Sequence, residues 1–329
     1  MNKPIAVVTG ANGFVGSHLV DLLIDKGYMV RCLVRRSSNL RWLKDKPVEI
    51  IDSGLFDTEG LRKSMTGASL FFHVAGVVKS KEKEGYFKGN VETTREILDA
   101  ALEFQDTLKK IVIVGSETTA GPAVPGSPST EAMEPAPITT YGISKYEQEK
   151  LALTYADRLN ITVCRSPAVY GERDTEIFLF FKTFKSGLMT QIGFDKKVVS
   201  LIQVRDLVRG LYEAAVAENT SGQVYFITSK EFYTWEQIGR ITGKIMGRKA
   251  FSLRIPHFIV YTVAAFAELF SMISGKAVTL NFEKAKDLTQ AAWICSHEKA
   301  LKDFGYIQKI SIETGIKETI DWYKQQGWL

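Results

Sequence analysis

The chain has 329 residues, of which 45% are apolar and 24% are charged, and its formal net charge is +5. This length allows one large or two modest domains, and the composition is that of an ordinary globular protein. The small positive excess forms no long run, which argues against a nucleic-acid partner and suits an anionic ligand. Cys32, Cys164 and Cys295 have neither disulfide nor metal-site spacing, so we expect buried thiols and no metal.

No secretory leader is predicted, because the first strand begins almost at once, and we expect a cytoplasmic location. An apolar stretch over 255–273 is interrupted by Glu268, and its unbroken run is shorter than the ~20 residues that a membrane span needs. We therefore predict no integral membrane segment. A buried helix over the substrate pocket is the favoured interpretation of this stretch, and peripheral membrane contact is the alternative.

Apolar strands alternate with helical patterns through the first half of the chain, which is typical of a doubly wound parallel sheet with helices on both faces. The predicted strands are Ile5–Val8, Val30–Val34, Val48–Ile51, Leu70–Val74, Ile111–Val114 and Ile161–Arg165. The predicted helices between them are Ser17–Lys26, Thr58–Met65, Val91–Glu103 and Thr140–Asn160.

The pattern becomes less regular after about Gly171. We predict a dinucleotide-binding domain over 1–170 with a returning segment near 200–228, and a smaller mixed α/β lobe for the substrate over 171–329. Asp206 is predicted to cap a helix within the returning segment. A last helix is predicted from Ile312 to about Gln325.

A glycine-rich turn follows the first predicted strand. Its glycines, Gly10, Gly13 and Gly16, recur every third residue, and the residues between them include Asn12, Phe14 and Val15. Glycine permits a tight turn with positive φ and lets the backbone approach a pyrophosphate, which the N–H groups of the next helix can bind. A strand before and a helix after the turn therefore predict a dinucleotide site.

The end of the second strand indicates which dinucleotide binds. An acidic residue here usually holds the ribose hydroxyls of NAD. This chain instead has Arg35 and Arg36 followed by two serines, and no acid lies between Asp25 and Asp45. Guanidinium groups suit a 2′-phosphate. We predict NADP as the cofactor, with NAD as the alternative.

Tyr141 and Lys145 are four residues apart and share one face of a predicted helix. A neighbouring ammonium and an oxidised nicotinamide would favour the phenolate form of Tyr141, whose pKa is ordinarily about 10. The tyrosine could then exchange a proton with an alcohol or carbonyl near neutral pH.

These motifs resemble the extended short-chain dehydrogenases/reductases, specifically the NAD-dependent epimerase/dehydratase family and its dihydroflavonol-reductase and 3β-hydroxysteroid-dehydrogenase-like branch. The resemblance covers nearly the whole chain. It rests on the glycine turn with its preceding Thr9, on Tyr141 and Lys145, and on four further segments. These segments are His73–Gly76, Asn90–Thr94, Arg165–Gly171 and Val204–Asp206.

The resemblance implies a Ser-Tyr-Lys acid/base group in which Tyr141 transfers the proton, Lys145 lowers its pKa and binds ribose, and Ser116 polarises the substrate oxygen. Asn90 matches the family asparagine that supports a proton-relay water. Further cofactor contacts are implied at Gly54, Leu55, Ala75, Gly76, Pro167 and Val169. The family commonly has an acid where Gly54 stands, so how adenine is held stays open. A homodimer through 91–103 and 140–158 is also expected.

Three functions fit these motifs. The first is a reductase or dehydrogenase acting on a hydroxyl or carbonyl of a small molecule, for which the apolar stretch over 255–273 suggests a hydrophobic substrate. The second is a nucleotide-sugar 4-epimerase with tightly bound NAD, whose diphosphate would need cations. The candidate cations are Lys182, Lys185, Lys196, Lys197 and Arg205. The third is an NADP-sensing regulator, which the complete Ser-Tyr-Lys group disfavours.

Overall fold

The computed structural model describes residues 3–274 and 280–329. Its strands are β1 (Ile5–Thr9), β2 (Met29–Val34), β3 (Val48–Asp52), β4 (Ala68–His73), β5 (Lys110–Ser116), β6 (Ile161–Ser166), β7 (Ala168–Tyr170), β8 (Leu188–Ile192), β9 (Val198–Gln203), β10 (Gln223–Phe226), β11 (Phe232–Thr234), β12 (Phe251–Ile255) and β13 (Ala292–Trp293).

The α-helices are α1 (Phe14–Asp25), α2 (Thr58–Met65), α3 (Lys83–Phe87), α4 (Thr93–Ala101), α5 (Thr140–Leu153), α6 (Phe178–Lys185), α7 (Val204–Val216), α8 (Trp235–Met246), α9 (His257–Ser274), α10 (Phe282–Thr289), α11 (Glu298–Phe304) and α12 (Ile312–Gln325). A π-helical turn, Lys88–Glu92, joins α3 to α4.

Seven parallel strands form the central sheet in the order β10-β6-β5-β4-β1-β2-β3. Helices α1 and α7 pack together on one face of the sheet, and α2, α4 and α5 pack on the other. This arrangement confirms the predicted doubly wound fold. The chain reverses its direction of strand addition between β1 and β4, so a crevice opens at the carboxyl ends of these two strands.

The second half of the chain forms two smaller sheets. Strand β9 lies between β11 and β13 and also pairs with β7, while β12 pairs in parallel with β8. A separate aromatic core joins α6, α8 and α12, and its fully buried side chains include Phe181, Ile238, Ile316 and Tyr323. Strand β10 returns to the central sheet beside β6.

Two local predictions were wrong. Helix α5 ends at Leu153, several residues before the predicted Asn160, because a series of turns follows it. Asp206 does not cap α7, since the side chain of Gln203 accepts the capping hydrogen bond from the N–H of Arg205. The carboxylate of Asp206 instead accepts hydrogen bonds from the backbone N–H groups of Lys309 and Ile310.

Helix α9 is not the buried helix predicted over the 255–273 stretch. Val260 and Ala264 on its inner face are buried, but the phenyl rings of Phe258 and Phe266 are 70% and 68% exposed. The side chains of Met272 and Ile273, which belong to the same stretch, lie outside the described ones. Within the described residues, no helix is both long and apolar enough to cross a membrane.

Candidate active site

The glycine turn lies at the crevice between β1 and β4. Gly10 has a φ of +66°, and the N–H of Gly13 donates to the carbonyl of Gly10 over 3.0 Å. A Cβ at Gly16 would lie 2.1 Å from the Gly10 oxygen, and one at Gly10 would lie 2.8 Å from the nitrogen of Ala75. The turn therefore needs glycine to pack this closely, which fits a cradle for a pyrophosphate.

Helix α1 begins at this turn without a side-chain cap. Gly13 is the N-cap residue, and the first turn of the helix carries no acidic side chain. The backbone N–H groups near Phe14 and Val15 can thus bind an anion, whose negative charge the helix dipole stabilises. Phe14 packs edge-on against His18, while Asn12 makes a long 3.5 Å contact with the carbonyl of Asn39 beyond β2.

The two arginines after β2 are exposed. Arg36 is 94% exposed on its side chain, and its Nε lies 3.5 Å from a carboxylate oxygen of Asp52. Asp52 is the last residue of β3 and pairs in register with Val34. The sequence therefore lacks an acid on the second strand, but the neighbouring strand brings one to the same edge.

The segment after β3 lacks the expected acid but is well ordered by hydrogen bonds. The hydroxyl of Ser53 donates to Asp57 over 2.8 Å, and Asp57 caps α2 by accepting from the N–H of Gly60. Gly54 is exposed, with no atom within 4 Å of the position of a Cβ, and Leu55 is half-buried. The surface at Gly54 and Leu55 is thus open for an adenine ring.

Ser116 ends β5, where it approaches Tyr141 at the start of α5. The hydroxyl of Ser116 accepts a 2.9 Å hydrogen bond from that of Thr118. Burial raises the pKa of Tyr141 to about 12, a hydrogen bond with Ser116 opposes this, and the charge of Asp287 adds to it. Burial therefore dominates the pKa of Tyr141 in the polypeptide by itself, and the predicted lowering by Lys145 together with an oxidised nicotinamide stays a prediction.

Lys145 is 4% exposed and lies one helical turn behind Tyr141. Its ammonium donates to the carbonyl of Val114 over 2.7 Å and to the side chain of Gln148. Burial lowers the pKa of Lys145 to about 8, while the carboxylate of Glu149 opposes the shift. The group is thus fixed by two acceptors, and with this pKa it is still mostly an ammonium at neutral pH.

Asn90 lies at the centre of the π-helical turn and is fully buried. Its amide oxygen accepts from the N–H of Val77 over 2.7 Å, and its amide nitrogen donates to Ser144 over 2.9 Å. A Cβ at Gly76 would lie 3.2 Å from the Asn90 oxygen and 3.9 Å from the Lys145 nitrogen. The structure therefore brings Gly76, Asn90 and Lys145 together, as the sequence predicts for one site.

A buried network connects the glycine turn to α5. His73 bridges Thr9 at 2.8 Å and Thr94 at 3.1 Å, and the side chain of Gln148 donates to Thr94 over 2.7 Å. Burial and the charge of Lys145 lower the pKa of His73 to about 3, so this ring is neutral. The network holds the ends of β1 and β4 and the helix of Lys145 in one arrangement.

The remaining predicted contacts lie at the end of β6. Pro167 is buried between β6 and β7, and Val169 is half-buried within β7. These two residues lie across the carboxyl edge of the sheet from Ala75, and their apolar surface suits a flat ring. Glu117 next to Ser116 is also buried, which raises the pKa of its carboxyl well above the usual range.

Tyr141 lines a cavity of ≈ 290 Å³ between the central sheet and α10. Its charged lining residues are Lys79, Lys284, Glu176, Glu283 and Asp287. Lys79 is paired with Glu176. One carboxylate oxygen of Asp287 is buried without a hydrogen-bond partner among the described residues, and burial raises the pKa of Asp287 to about 6. Carboxylates thus outnumber ammonium groups in the cavity lining by three to two.

The sequence reasoning missed several of these residues. The sequence could have indicated the contact of Gln148 with Lys145, because the two residues are three apart on the same helical face. No feature of the sequence indicated that Asp287 and Glu283 line the cavity, since no spacing relates α10 to the motifs of the first half. The five cations suggested for a diphosphate are not among the residues that line the cavity, and Lys197 is engaged by Asp195 and by two backbone carbonyls.

Similarity to known proteins extends over nearly the whole chain. The ceramide reductase of Caulobacter vibrioides is 29% identical and covers 99% of this chain and 96% of its own. The mouse sterol-4-alpha-carboxylate 3-dehydrogenase, decarboxylating, is 25% identical, and the match covers 95% of this chain and 89% of the mouse protein. The structure of Thermotoga maritima UDP-glucose 4-epimerase with UDP-glucose superposes with a TM-score of 0.81 at 22% identity, covering 98% and 99% of the two chains.

Residues 6–228 match the model of the NAD dependent epimerase/dehydratase family. This match covers more than half of the chain and includes the glycine turn, Ser116, Tyr141 and Lys145. The predicted resemblance is confirmed, and the chain belongs to the NAD-dependent epimerase/dehydratase family as an NAD(P)-dependent enzyme of the oxidoreductase or epimerase type.

Proposed function

We propose that this protein is an NADP-linked oxidoreductase that interconverts a hydroxyl and a carbonyl group on an apolar, lipid-like substrate. The observation that carries the proposal is the position of Tyr141, which lines a partly open cavity while Ser116 and Lys145 flank it. A proton donor at the wall of a cavity, backed by a buried ammonium, suits carbonyl reduction.

Each residue of the group has a distinct task in this proposal. Tyr141 gives its proton to the substrate oxygen during reduction and takes it back during oxidation. Ser116 donates a hydrogen bond to the same oxygen while Thr118 holds its hydroxyl. Lys145 stabilises the phenolate electrostatically, and Asn90 keeps the backbone of Val77 and the side chain of Ser144 in place beside it.

The cofactor would occupy the crevice at the carboxyl ends of β1 and β4. When bound, its nicotinamide supplies or accepts the hydride at C4. The glycine turn and the start of α1 would hold the pyrophosphate, and Arg35 and Arg36 would hold a 2′-phosphate. The remaining contacts would come from Gly54, Leu55, Ala75, Gly76, Pro167 and Val169.

The charges of the cavity favour a substrate without a diphosphate. Three carboxylates and two ammonium groups line it, and one of the lysines is already paired with Glu176. A nucleotide-sugar would need cations at its diphosphate, so the epimerase alternative is less favoured. Ceramide and sterol, named for two relatives, are instead largely apolar molecules with oxygen substituents.

The catalytic proposal is tested by Tyr141→Phe, with Tyr146→Phe on the same helix as the matched control. We expect Tyr141→Phe to lower kcat for NADPH-dependent reduction of an oxo-lipid by at least about 100-fold, because the proton donor is lost. Cofactor affinity should be nearly unchanged. Reduction by Tyr141→Phe at the rate of the control would contradict the proposed role.

The cofactor proposal is tested by titrating NADPH and NADH. The double variant Arg35→Ala/Arg36→Ala should weaken NADPH binding by about 10-fold to 100-fold more than NADH binding, since only NADPH carries the 2′-phosphate. Asp52→Asn instead neutralises the carboxylate next to Arg36, and it should leave the affinity for NADPH unchanged or increase it. If the arginine variant weakens both cofactors equally, or if Asp52→Asn selectively weakens NADH, then NAD is the cofactor.

The division into domains at 170 stays a prediction, as do the cytoplasmic location and the homodimer. In the dimer that the family resemblance implies, α4 and α5 would pack against the same helices of a second copy. Sedimentation of the purified chain would test this assembly.

A further inference from the structure

Helix α9 has apolar side chains on all of its sides. Its inner face packs through Val260 and Ala264 against Ala285 of α10. Its outer face is formed by six exposed apolar side chains, Phe258, Ile259, Val263, Phe266, Leu269 and Phe270. A helix that is apolar all round is ordinarily covered on both faces, so the outer face needs a partner.

The six side chains form one continuous surface. At 3.6 residues per turn they fall within an arc of about 140° around the helix. Phe258, Phe266 and Phe270 are 70%, 68% and 64% exposed. A further exposed phenylalanine, Phe194, follows β8, and its neighbour Asp195 lies 3.4 Å from His257 at the start of α9. The exposed apolar residues therefore form a patch and are not scattered singly over the protein surface.

The sequence that leads into α9 is cationic, which indicates the kind of partner. The sequence over 237–267 contains no Asp or Glu and has five cationic residues, Arg240, Lys244, Arg248, Lys249 and Arg254, of which Arg254 pairs with Glu236 just before this segment. Arg248 and Lys249 are exposed directly before β12. Exposed phenylalanines beside cations suit an anionic lipid surface, where the rings enter the boundary of the acyl chains and the cations contact the headgroups.

Helix α9 is also connected to the cavity, through α10. The N–H of Phe282 at the start of α10 donates to Glu268 of α9 over 2.8 Å, and the rings of Phe282 and Tyr261 lie 6.2 Å apart. The next residues of α10, Glu283 and Asp287 among them, line the cavity that Tyr141 faces. An acyl chain leaving the cavity over α10 would thus reach α9 on the side of Tyr261 and Glu268.

We propose that the outer face of α9 seats this enzyme on the surface of an anionic lipid bilayer, with the helix lying in the plane of the interface. The cavity would then take its substrate from the bilayer. This inference rests on the proposed function for its substrate, but the binding of bilayers can be measured without any turnover.

The test uses the full chain and vesicles of phosphatidylcholine mixed with phosphatidylglycerol. We expect the protein to float with these vesicles and to bind less to vesicles of phosphatidylcholine alone. The variant Phe258→Asp/Phe266→Asp should lose at least about 10-fold in partitioning, because two rings are replaced by charges. The control Val124→Asp changes an equally exposed apolar residue (70%) elsewhere and should bind as the parent does.

A second variant, Arg248→Ala/Lys249→Ala, keeps the apolar face intact and should weaken binding to the anionic vesicles only. Absence of flotation for the parent chain, or unchanged flotation of both double variants, would overturn the proposal. A dimer that Phe258→Asp/Phe266→Asp dissociates, without vesicle binding, would also overturn it and assign the face to a second copy.

The same variants separate this inference from the proposed function. We expect Phe258→Asp/Phe266→Asp to keep its turnover of a short-chain, water-soluble oxo substrate and to lose turnover of a long-chain substrate held in vesicles. If no oxo substrate is turned over by any variant while flotation persists, then the proposed function fails and the bilayer contact stands.

Discussion

The salt bridge between Glu149 and Arg165 allows the most direct test of how the catalytic helix is held. Glu149 of α5 and Arg165 of β6 form two hydrogen bonds of 2.9 and 2.6 Å, and their side chains are 5% and 3% exposed. The guanidinium also lies 5.2 Å from the centre of the Phe226 ring. Glu149→Gln would remove the carboxylate and leave a buried cation without its counter-charge.

Breaking such a buried pair on one side costs about 3–5 kcal/mol of unfolding free energy. Unfolding entropy is about 2.1 cal/mol/K per residue near the melting temperature. For 329 residues this amounts to about 0.7 kcal/mol/K. We therefore expect Tm to fall by about 4–7 °C in a calorimetric scan of Glu149→Gln.

The matched control is Glu147→Gln on the same helix. Glu147 pairs with Lys150 at 3.2 Å, but both side chains are about half exposed, so the change should cost no more than about 1 kcal/mol. The paired replacement Glu149→Leu/Arg165→Met should recover much of the stability, since no charge is then left buried. A Tm of Glu149→Gln equal to that of Glu147→Gln would refute the reasoning.

Two further predictions concern the cavity and the glycine turn. Asp287→Asn removes a charge that raises the pKa of Tyr141, so the rise of the alcohol-oxidation rate with pH should move to lower pH. The difference between the variant and the parent should vanish below about pH 6, where Asp287 is protonated in the parent. Identical pH–rate profiles of the two proteins would contradict this prediction. Gly16→Ala would place a Cβ 2.1 Å from the Gly10 oxygen. Fluorescence titration should then show NADPH binding weakened by about 10-fold or more, and unchanged affinity would show that the turn can open without cost.

The strands of the first half could be predicted because the information is local. Each predicted strand overlaps its observed one, and the turn at Gly10 is specified by its own glycines and by the strand before it. Some of the deviations occur where a polar residue continues a buried strand, as Thr9, Asp52 and Ser166 do. Lys110 begins β5 although it is a lysine, because its ammonium donates to Thr220 in the interior.

Helix α9 shows the limit of this kind of reasoning. Its composition correctly predicts a helix, but the pattern of apolar residues cannot specify which surfaces cover it. The side of Val260 meets α10, and the side of Phe266 meets solvent. Both sides have the same kind of residue, so the difference arises only from the tertiary position of the helix.

The cavity depends on a contribution that no local pattern reveals. Helix α10 has eight residues, and three of them serve three different surfaces. Glu283 accepts from the backbone N–H of Thr140 at the start of α5, Asp287 faces the cavity, and Phe282 contacts α9. A carboxylate at that position also complements the positive end of the helix that carries Tyr141 and Lys145. Because α10 contacts both the catalytic helix and α9, a shift of α9 on its proposed bilayer would be transmitted to Tyr141 through this one short helix.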